Sequence, residues 1–146
     1  MLNIENLTDV SVPNKLLENI ATSLSSREID LTLCYNHTIQ QYNKEYRQKD
    51  QATDVLSFPI ENDMIIADDN FMPLGSIVIS VDFVTLKAKE LGHNESDELA
   101  LLFIHGLLHI LGYDHETDTG EMREKEALII QEFNLPKSLI VRTEEN

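Results

Sequence analysis

The chain has 146 residues, of which 42% are hydrophobic and 25% are charged, a composition typical of a globular domain and not of a disordered chain. Its 11 Lys and Arg residues against 26 Asp and Glu residues give a formal net charge of −15, which argues against tight, non-specific binding of nucleic acid. Because no linker, repeat or low-complexity tract interrupts the sequence, we predict one domain over residues 1–146.

The sequence also bears on the compartment in which the protein works. No apolar run approaches the roughly 20 residues that a membrane span needs, and the segment from Met1 to Val10 lacks the basic start of a signal peptide. The single cysteine, Cys34, cannot form a disulfide within the chain. We therefore expect a cytoplasmic protein without a membrane partner, stabilised by core packing.

The first half of the chain alternates between strand and helix patterns. We predict, in order, a strand at 2–5, a helix at 14–24, a strand at 29–36 with one polar face, a helix at 38–47, and a β-rich segment at 54–60 that Pro59 ends or places at a sheet edge. Cys34 falls on the polar face of its strand, where we expect an ordinary strand residue.

Helices dominate the second half of the chain. We predict an acidic turn-like stretch at 62–70, a strand at 74–80, a helix from its cap Ser80 to Leu91 before Gly92, a helix from about Ser96 to the turn at Gly112, and a last helix that opens with a capping box of Asp118 and Glu121 and ends near Asn134. This order of elements predicts an α+β fold in which helices pack on a small mixed β-sheet.

Three of the five histidines, His105, His109 and His115, lie close together in the sequence. Residues four apart on a helix share one face, so His105 and His109 can point at one spot, and a turn at Gly112 can bring His115 back as a third ligand. Three imidazoles leave a fourth tetrahedral position for a water molecule, whose pKa falls to about 7 on zinc. We predict one zinc ion and hydrolysis driven by it, although imidazole also suits iron and nickel.

The histidine offsets equal those of the metzincin peptidases, H-E-x-x-H-x-x-G-x-x-H, which predicts a zincin-like metal site on the helix that carries His105 and His109. Gly106 stands at the position of their general-base Glu. Glycine inside a helix costs about 1 kcal/mol against Ala, so either a sheet packs closely there or the missing side chain leaves room for substrate. Without that carboxylate, peptide hydrolysis is the second hypothesis.

Two long segments resemble one family. Residues 105–115 (HGLLHILGYDH) are similar to the H-G-x-L-H-L-x-G-Y-D-H signature of the YbeY endoribonucleases, and residues 46–59 (YRQKDQATDVLSFP) look like that family's Y-R-x-x-D-x-x-T-D-V-L-S-F-P. Part of its L-G-D-I is matched at 74–77, and Met122 and Glu126 also sit where the family usually has them. Ser76 replaces the usual Asp, which puts any supporting role of that carboxylate in doubt, whereas Ala52 in place of Pro is only a turn difference.

The resemblance implies a bacterial zinc-dependent endoribonuclease, specific for single-stranded RNA, that acts in ribosomal RNA maturation at the 3′ end of the small-subunit RNA and in ribosome quality control. It implies His105, His109 and His115 as the zinc ligands, with His105 counted in the catalytic set, and Arg47 as the residue facing the RNA phosphate. The implied partners are single-stranded RNA and the small ribosomal subunit or its assembly factors. A third hypothesis is a non-catalytic ribosome-associated factor with a structural metal.

Arg47 offers a planar, permanently charged fork that suits phosphate oxygens. The alternative is an ion pair of Arg47 with Asp50 or Asp54. Lys49 is a further candidate for substrate binding, although exposed lysines near a site are usually only solvated. With one small basic cluster and a net charge of −15, we expect weak and steeply salt-sensitive RNA binding, which tight binding by the isolated protein at physiological salt would contradict.

The sequence gives weaker support for a functional role of the other residues near the histidines. Asp114 and Glu116 flank the third predicted ligand, and either could orient an imidazole or pass a proton, although Asp114 also suits the turn that Gly112 begins. We expect His37 and His93 to be simply exposed. The apolar run 99–104 is expected to provide core packing for the metal helix.

Overall fold

The computed structural model describes residues 2–60, 73–113, 120–137 and 139. Within these ranges the chain forms, in order, β1 (Leu2–Asn6), α1 (Asn14–Leu24), β2 (Ile29–Cys34), α2 (Asn36–Arg47), β3 (Val55–Pro59), β4 (Gly75–Ser80), α3 (Val81–Leu91), α4 (Glu95–Ile110) and α5 (Glu121–Glu132). None of these helices combines the length and the apolar character that a membrane crossing requires.

The four described strands form one sheet in the order β1-β2-β4-β3. β1 and β4 both run parallel to β2, whereas β3 pairs with β4 in the antiparallel direction, so the sheet is mixed. Pro59 is the last residue of β3, which is an edge strand, as expected for a residue that cannot donate to a neighbouring strand. The predicted α+β fold with a small mixed sheet is confirmed.

Most predicted helix and strand bounds lie within two residues of the observed ones. The helix at 14–24 has the predicted ends, while α2 begins two residues earlier than predicted, at Asn36. Ser80 does precede α3, but its hydroxyl donates to Asn36 Oδ1 at 2.7 Å and makes no cap hydrogen bond. The segment predicted to be turn-like at 62–70 lies outside the described residues.

The predicted capping box of Asp118 and Glu121 stays a prediction. Such a box places its Glu at the third helical position, yet Glu121 is the first residue of α5. Gly120 occupies the cap position with φ +119°, a conformation that glycine adopts at no steric cost, so the chain turns into the helix there. Asp118, the other predicted partner, lies outside the described residues.

The sheet has an apolar core on each face. The larger core joins α1, α3 and α4 to the face that carries Ile77 and Ile79. The smaller core contains Cys34 together with side chains from α2, β3 and β4. The predicted polar face of the strand at 29–36 is therefore wrong at its end, because α2 covers Cys34 completely and burial raises the pKa of its thiol to about 11.

The helix α4 lies at the centre of the fold. It packs on β3 and β4 and also contacts α1, α3 and α5. Its residues from Leu99 to Ile104 are buried, as predicted for the run that anchors this helix. Asn94 caps the helix by accepting a hydrogen bond from the backbone N–H of Asp97 at 2.8 Å. The position of the histidines near its other end is therefore fixed by the core.

Candidate active site

His105 and His109 lie on one face of α4, one turn apart, close to the end of the helix. Their ring centroids are 5.0 Å apart, with an angle of 72° between the ring planes. Both side chains are half-buried and line the same cleft. The two rings therefore lie side by side at the cleft, as expected for residues four apart on a helix.

Glu126 fixes the orientation of the His105 ring. Its Oε1 lies 2.7 Å from His105 Nδ1, and the Glu126 side chain is only 5% exposed. An ionised carboxylate can only accept a hydrogen bond, so a neutral His105 ring in this contact carries its proton on Nδ1 and its lone pair on Nε2. This is the arrangement that commonly supports a metal-binding histidine, because the carboxylate sets the tautomer and the angle of the ring.

Sequence analysis gave no role to Glu126 beyond its match to the family pattern. Asp114 and Glu116, either of which could orient an imidazole or pass a proton, both lie outside the described residues. A signal was nevertheless present, because Glu126 occupies the buried face of α5 among apolar side chains at helical spacing: Met122, Ile129 and Ile130. A carboxylate on an apolar face needs a partner.

Gly106 marks the closest approach of α4 to the sheet. A Cβ at this position would lie 3.1 Å from Ile77 Cγ2, 3.1 Å from Ser57 Oγ and 3.2 Å from Val55 Cγ2. The Ser57 hydroxyl also donates a hydrogen bond to the Gly106 carbonyl at 3.0 Å. Of the two explanations for this glycine, the geometry favours close packing of the sheet. A Glu side chain at this position would therefore meet the side chains of Val55, Ser57 and Ile77 at its first carbon atom.

The cleft has a volume of about 620 Å³ and joins α4 to β3 and to the end of α2. Arg47 at the end of α2 lines the same cleft as the two histidines, although 58 residues of sequence separate it from His105. The residues that line the cleft are Arg47, Asp54, Val55, Ser57, Pro59, His105, His109, Gly112 and Tyr113.

Arg47 makes no ion pair with any described residue. The two carboxylates considered as its partners are engaged elsewhere: Asp50 lies 4.0 Å from Lys44 Nζ, and Asp54 Oδ1 accepts a hydrogen bond from the Val55 backbone at 2.8 Å. The guanidinium therefore faces the cleft without a carboxylate within 4.0 Å among the described residues. That is the state expected of a side chain that binds an external anion.

The loop after Arg47 is held by a buried amide. Asn43 is 3% exposed, and its Nδ2 donates to the carbonyl of Gln51 at 2.9 Å. Gln48 ends the helix in the left-handed conformation at φ 55°, and the Lys49 backbone donates to the Asn43 carbonyl at 3.2 Å. These bonds fix the direction in which the chain leaves α2. Lys49 itself is exposed and does not line the cleft.

Not every candidate residue lies within the part of the chain that the structure describes. His115, the third predicted ligand, lies outside the described residues. His37 is exposed near the start of α2 and His93 is half-buried after α3, and neither lines the cleft. Ser76 alternates with Ile77 on β4, and Ile77 faces α4, so the Ser76 side chain points to the opposite face of the sheet.

The described side chains supply two of the three predicted zinc ligands. Two imidazoles line the cleft, and a buried carboxylate contacts Nδ1 of one of them, which leaves Nε2 of that ring as the nitrogen that would bind zinc. Within the part of the chain that the structure describes, no group of three metal-binding side chains is found. A complete site requires a ligand such as His115.

Comparison with known proteins gives a consistent result along nearly the whole chain. A family model described as Endoribonuclease YbeY matches residues 3–134. A protein of that name from Sulfurovum sp. (strain NBC37-1) is 56% identical over 144 residues, covering 99% of this chain and 98% of the relative. One from Campylobacter jejuni (strain RM1221) is 55% identical over 130 residues, covering 89% and 93%.

The fold also has a counterpart among solved structures. The solution structure of TM1509 from Thermotoga maritima superposes with a TM-score of 0.60 at 26% sequence identity, covering 100% of this chain and 93% of that chain. The arrangement of the mixed sheet and helices is therefore similar in the two proteins.

Proposed function

Because the chain belongs to the Endoribonuclease YbeY family, we propose that it is a zinc-dependent endoribonuclease that cleaves single-stranded RNA in the cleft between α4, β3 and the end of α2. The observation that carries this proposal is that Arg47, without a carboxylate partner among the described residues, lines one cleft with His105 and His109. A cation-binding face and an anion-binding side chain are the two requirements for cleavage of a phosphodiester.

The zinc site would consist of His105, His109 and His115. When bound, zinc supplies a Lewis acid that offsets phosphate charge and lowers the pKa of a water molecule. Glu126 holds the Nδ1 proton of His105 and so keeps Nε2 aimed at the cleft. The core packing of α4 keeps both rings in place without cost at the moment of reaction.

Arg47 binds the scissile phosphate in this proposal. Its planar guanidinium donates two parallel hydrogen bonds to the non-bridging oxygens, and its charge stabilises the negative charge that develops there. The buried Asn43 amide holds the loop that follows Arg47, so the guanidinium approaches the cleft from a fixed direction. Lys49, exposed beside it, contributes only general attraction for RNA.

Asp54 is the carboxylate among the described residues that line the cleft. Its Oδ1 accepts hydrogen bonds from the Val55 backbone and, at 3.4 Å, from the Thr53 hydroxyl. Its Oδ2 has no donor among the described residues, and this oxygen can accept a proton from the attacking group.

The biological substrate in this proposal is ribosomal RNA, at the 3′ end of the small-subunit RNA, with a further role in ribosome quality control. A net charge of −15 leaves little intrinsic affinity for RNA, so the small subunit or an assembly factor delivers the target, in the cytoplasm. The alternative of a metalloprotease is disfavoured by Gly106, which packs against β3 where the peptidases have their general base.

The proposal is tested by metal analysis together with cleavage of an unstructured RNA by the wild type, His105→Ala and Arg47→Ala. We expect one zinc per chain and cleavage in the wild type, and loss of cleavage in both variants with zinc retained in Arg47→Ala. Activity that survives His105→Ala, once contaminating nuclease is excluded, would refute a catalytic metal. Cleavage of casein that depends on His105 would favour the peptidase, and zinc without any cleavage would favour a structural metal.

A further inference from the structure

Three aromatic rings form a cluster beside the cleft, on the side of α2. The rings of Tyr42 and Tyr46 stack with centroids 6.1 Å apart and 20° between their planes. The ring of Phe58 meets Tyr46 edge-on, with centroids 5.4 Å apart and an angle of 64°. Tyr42 and Phe58 are partly buried against the smaller core, so the cluster is anchored to the fold.

Tyr46 is held by these two neighbours and is still 58% exposed. An aromatic residue with more than half of its surface in water loses much of the benefit of burial, so packing of the core does not explain it. Its ring is also pre-positioned, because contacts on two sides limit its rotation. A rigid exposed ring is the kind of surface on which an unpaired nucleobase stacks.

The cluster is continuous with the cleft. Tyr46 directly precedes Arg47, and Phe58 lies between Ser57 and Pro59; these three neighbours all line the cleft. Side chains alternate along β3, so Phe58 lies on the opposite face of the sheet from Ser57 and Pro59, and the two faces meet at β3, which is at the edge of the sheet of described strands. An RNA chain whose phosphate contacts Arg47 would reach the Tyr46 ring if it continued around this edge of the sheet.

The charge of the protein favours this mode of binding. With 11 basic against 26 acidic residues, phosphate contacts supply little affinity, whereas stacking on a ring does not depend on charge. Stacking also discriminates between forms of RNA, since only an unpaired base exposes both of its faces.

We propose that Tyr46, supported by Tyr42 and Phe58, forms a stacking subsite for one unpaired base of the RNA, next to the nucleotide whose phosphate Arg47 binds. This inference rests on the proposed function, because it places the subsite in the path of the same substrate. The subsite would be tolerant of base identity, since every nucleobase offers a ring face.

The test compares single-stranded RNA oligonucleotides of one length that carry an abasic nucleotide at successive positions. Binding is measured by fluorescence anisotropy at low salt for the wild type, Tyr46→Phe, Tyr46→Leu and the matched control Leu86→Ala, which changes a 50% exposed residue that does not line the cleft. Cleavage of the same RNAs is followed in parallel, and thermal unfolding verifies that each variant is folded.

We expect Tyr46→Leu to bind intact RNA about tenfold more weakly, with a raised KM and little change in kcat. Tyr46→Phe and Leu86→Ala should behave like the wild type. An abasic nucleotide at one position of the RNA should weaken binding to the wild type by about the same factor. The same abasic RNA should bind Tyr46→Leu no more weakly than intact RNA does. Because the chain has no tryptophan, Tyr46→Trp provides a single fluorophore that single-stranded RNA should quench and duplex RNA should not.

The subsite is refuted if Tyr46→Leu binds RNA as tightly as the wild type does. It is also refuted if Tyr46→Leu binds every abasic RNA more weakly than the wild type by the same factor, which would indicate a purely structural role for Tyr46. If RNA is cleaved but binding does not depend on Tyr46, only the subsite fails. If binding depends on Tyr46 but no RNA is cleaved, only the proposed function fails. A wild type that neither binds nor cleaves RNA would overturn both.

Discussion

The hydroxyl of Ser57 on β3 donates a hydrogen bond to the carbonyl oxygen of Gly106 on α4 at 3.0 Å. This bond joins β3 to α4 at the residue that directly follows His105. A Cβ added at Gly106 would lie 3.1 Å from the same hydroxyl oxygen. The strand that carries the cleft wall and the helix that carries the imidazoles are therefore in direct contact, and the glycine is what allows it.

Substitution of Gly106 by Ala should lower the free energy of unfolding by about 1 kcal/mol. Overpacking of the Ala methyl group against β3 and β4 destabilises the fold by about 1–3 kcal/mol. The higher helix propensity of Ala offsets about 1 kcal/mol of this destabilisation. Urea denaturation measures the change. The Ser57→Gly substitution removes one of the three close contacts of the new methyl group. The double variant Gly106→Ala with Ser57→Gly should therefore lose less free energy of unfolding than the sum of the two single variants. A Gly106→Ala protein more stable than the wild type would contradict close packing.

Removal of the Glu126 carboxylate should weaken zinc binding by about 10–100-fold, because His105 loses the group that sets its tautomer and angle. Glu126→Gln should lose less than Glu126→Ala, since an amide oxygen can still accept the Nδ1 hydrogen bond. Titration against a chromogenic chelator measures the affinity. Glu124→Ala, on the exposed side of the same helix, is the matched control. Equal affinities for Glu126→Ala and Glu124→Ala would show that the carboxylate does not support a ligand.

Replacement of Asn43 by Ala should destabilise the fold by about 1–3 kcal/mol, because the Gln51 carbonyl loses its buried donor. The loop after α2 is then free to move, so we also expect a higher KM for RNA through displacement of Arg47. In an Arg47→Ala background the same substitution should still lower stability but should not weaken RNA binding further, as measured by fluorescence anisotropy. Additive effects of the two substitutions on RNA binding would show that Asn43 acts by a different route.

The buried thiol of Cys34 makes stability depend on pH in the alkaline range. Burial raises its pKa from 9.0 to about 11. Between these values the unfolded chain releases the thiol proton and the folded chain keeps it, so the free energy of unfolding falls as pH rises, by up to about 1.4 kcal/mol per pH unit. Cys34→Ala lacks this contribution, so the stability difference between it and the wild type should narrow from pH 9 to pH 10.5 in urea titrations. A constant difference would show that the thiol has an ordinary pKa.

Local elements of the fold were accessible from the sequence because their signals are local. Helical spacing of apolar residues defined α1 to its last residue, and Gly92 and Gly112 do adopt positive φ after their helices, at +74° and +106°. The burial of Cys34 was missed, because alternation along one strand does not say whether a helix covers its second face. The capping box of Asp118 and Glu121 stays a prediction, and the described part of the last helix begins after Gly120, which adopts a positive φ.

The candidate active site also has a part that local sequence patterns predict and a part that depends on how the elements pack. Spacing alone predicted that His105 and His109 share a face, and the structure brings them together. The approach of Arg47 depends on the strand order that places β3 at the edge beside α4, which no local pattern encodes. The contact of Glu126 with His105 depends on the packing of α5 against α4, and for that reason the sequence alone pointed only to the neighbours of His115 as candidates for this role.

X-ray absorption at the zinc edge of the zinc-saturated protein tests the central claim most directly. We predict three imidazole nitrogens at about 2.0–2.1 Å and one light oxygen ligand, with one imidazole fewer in His115→Ala. A fourth protein ligand in place of that oxygen, or a wild-type signal with fewer than three imidazoles, would contradict a catalytic zinc held by His105, His109 and His115.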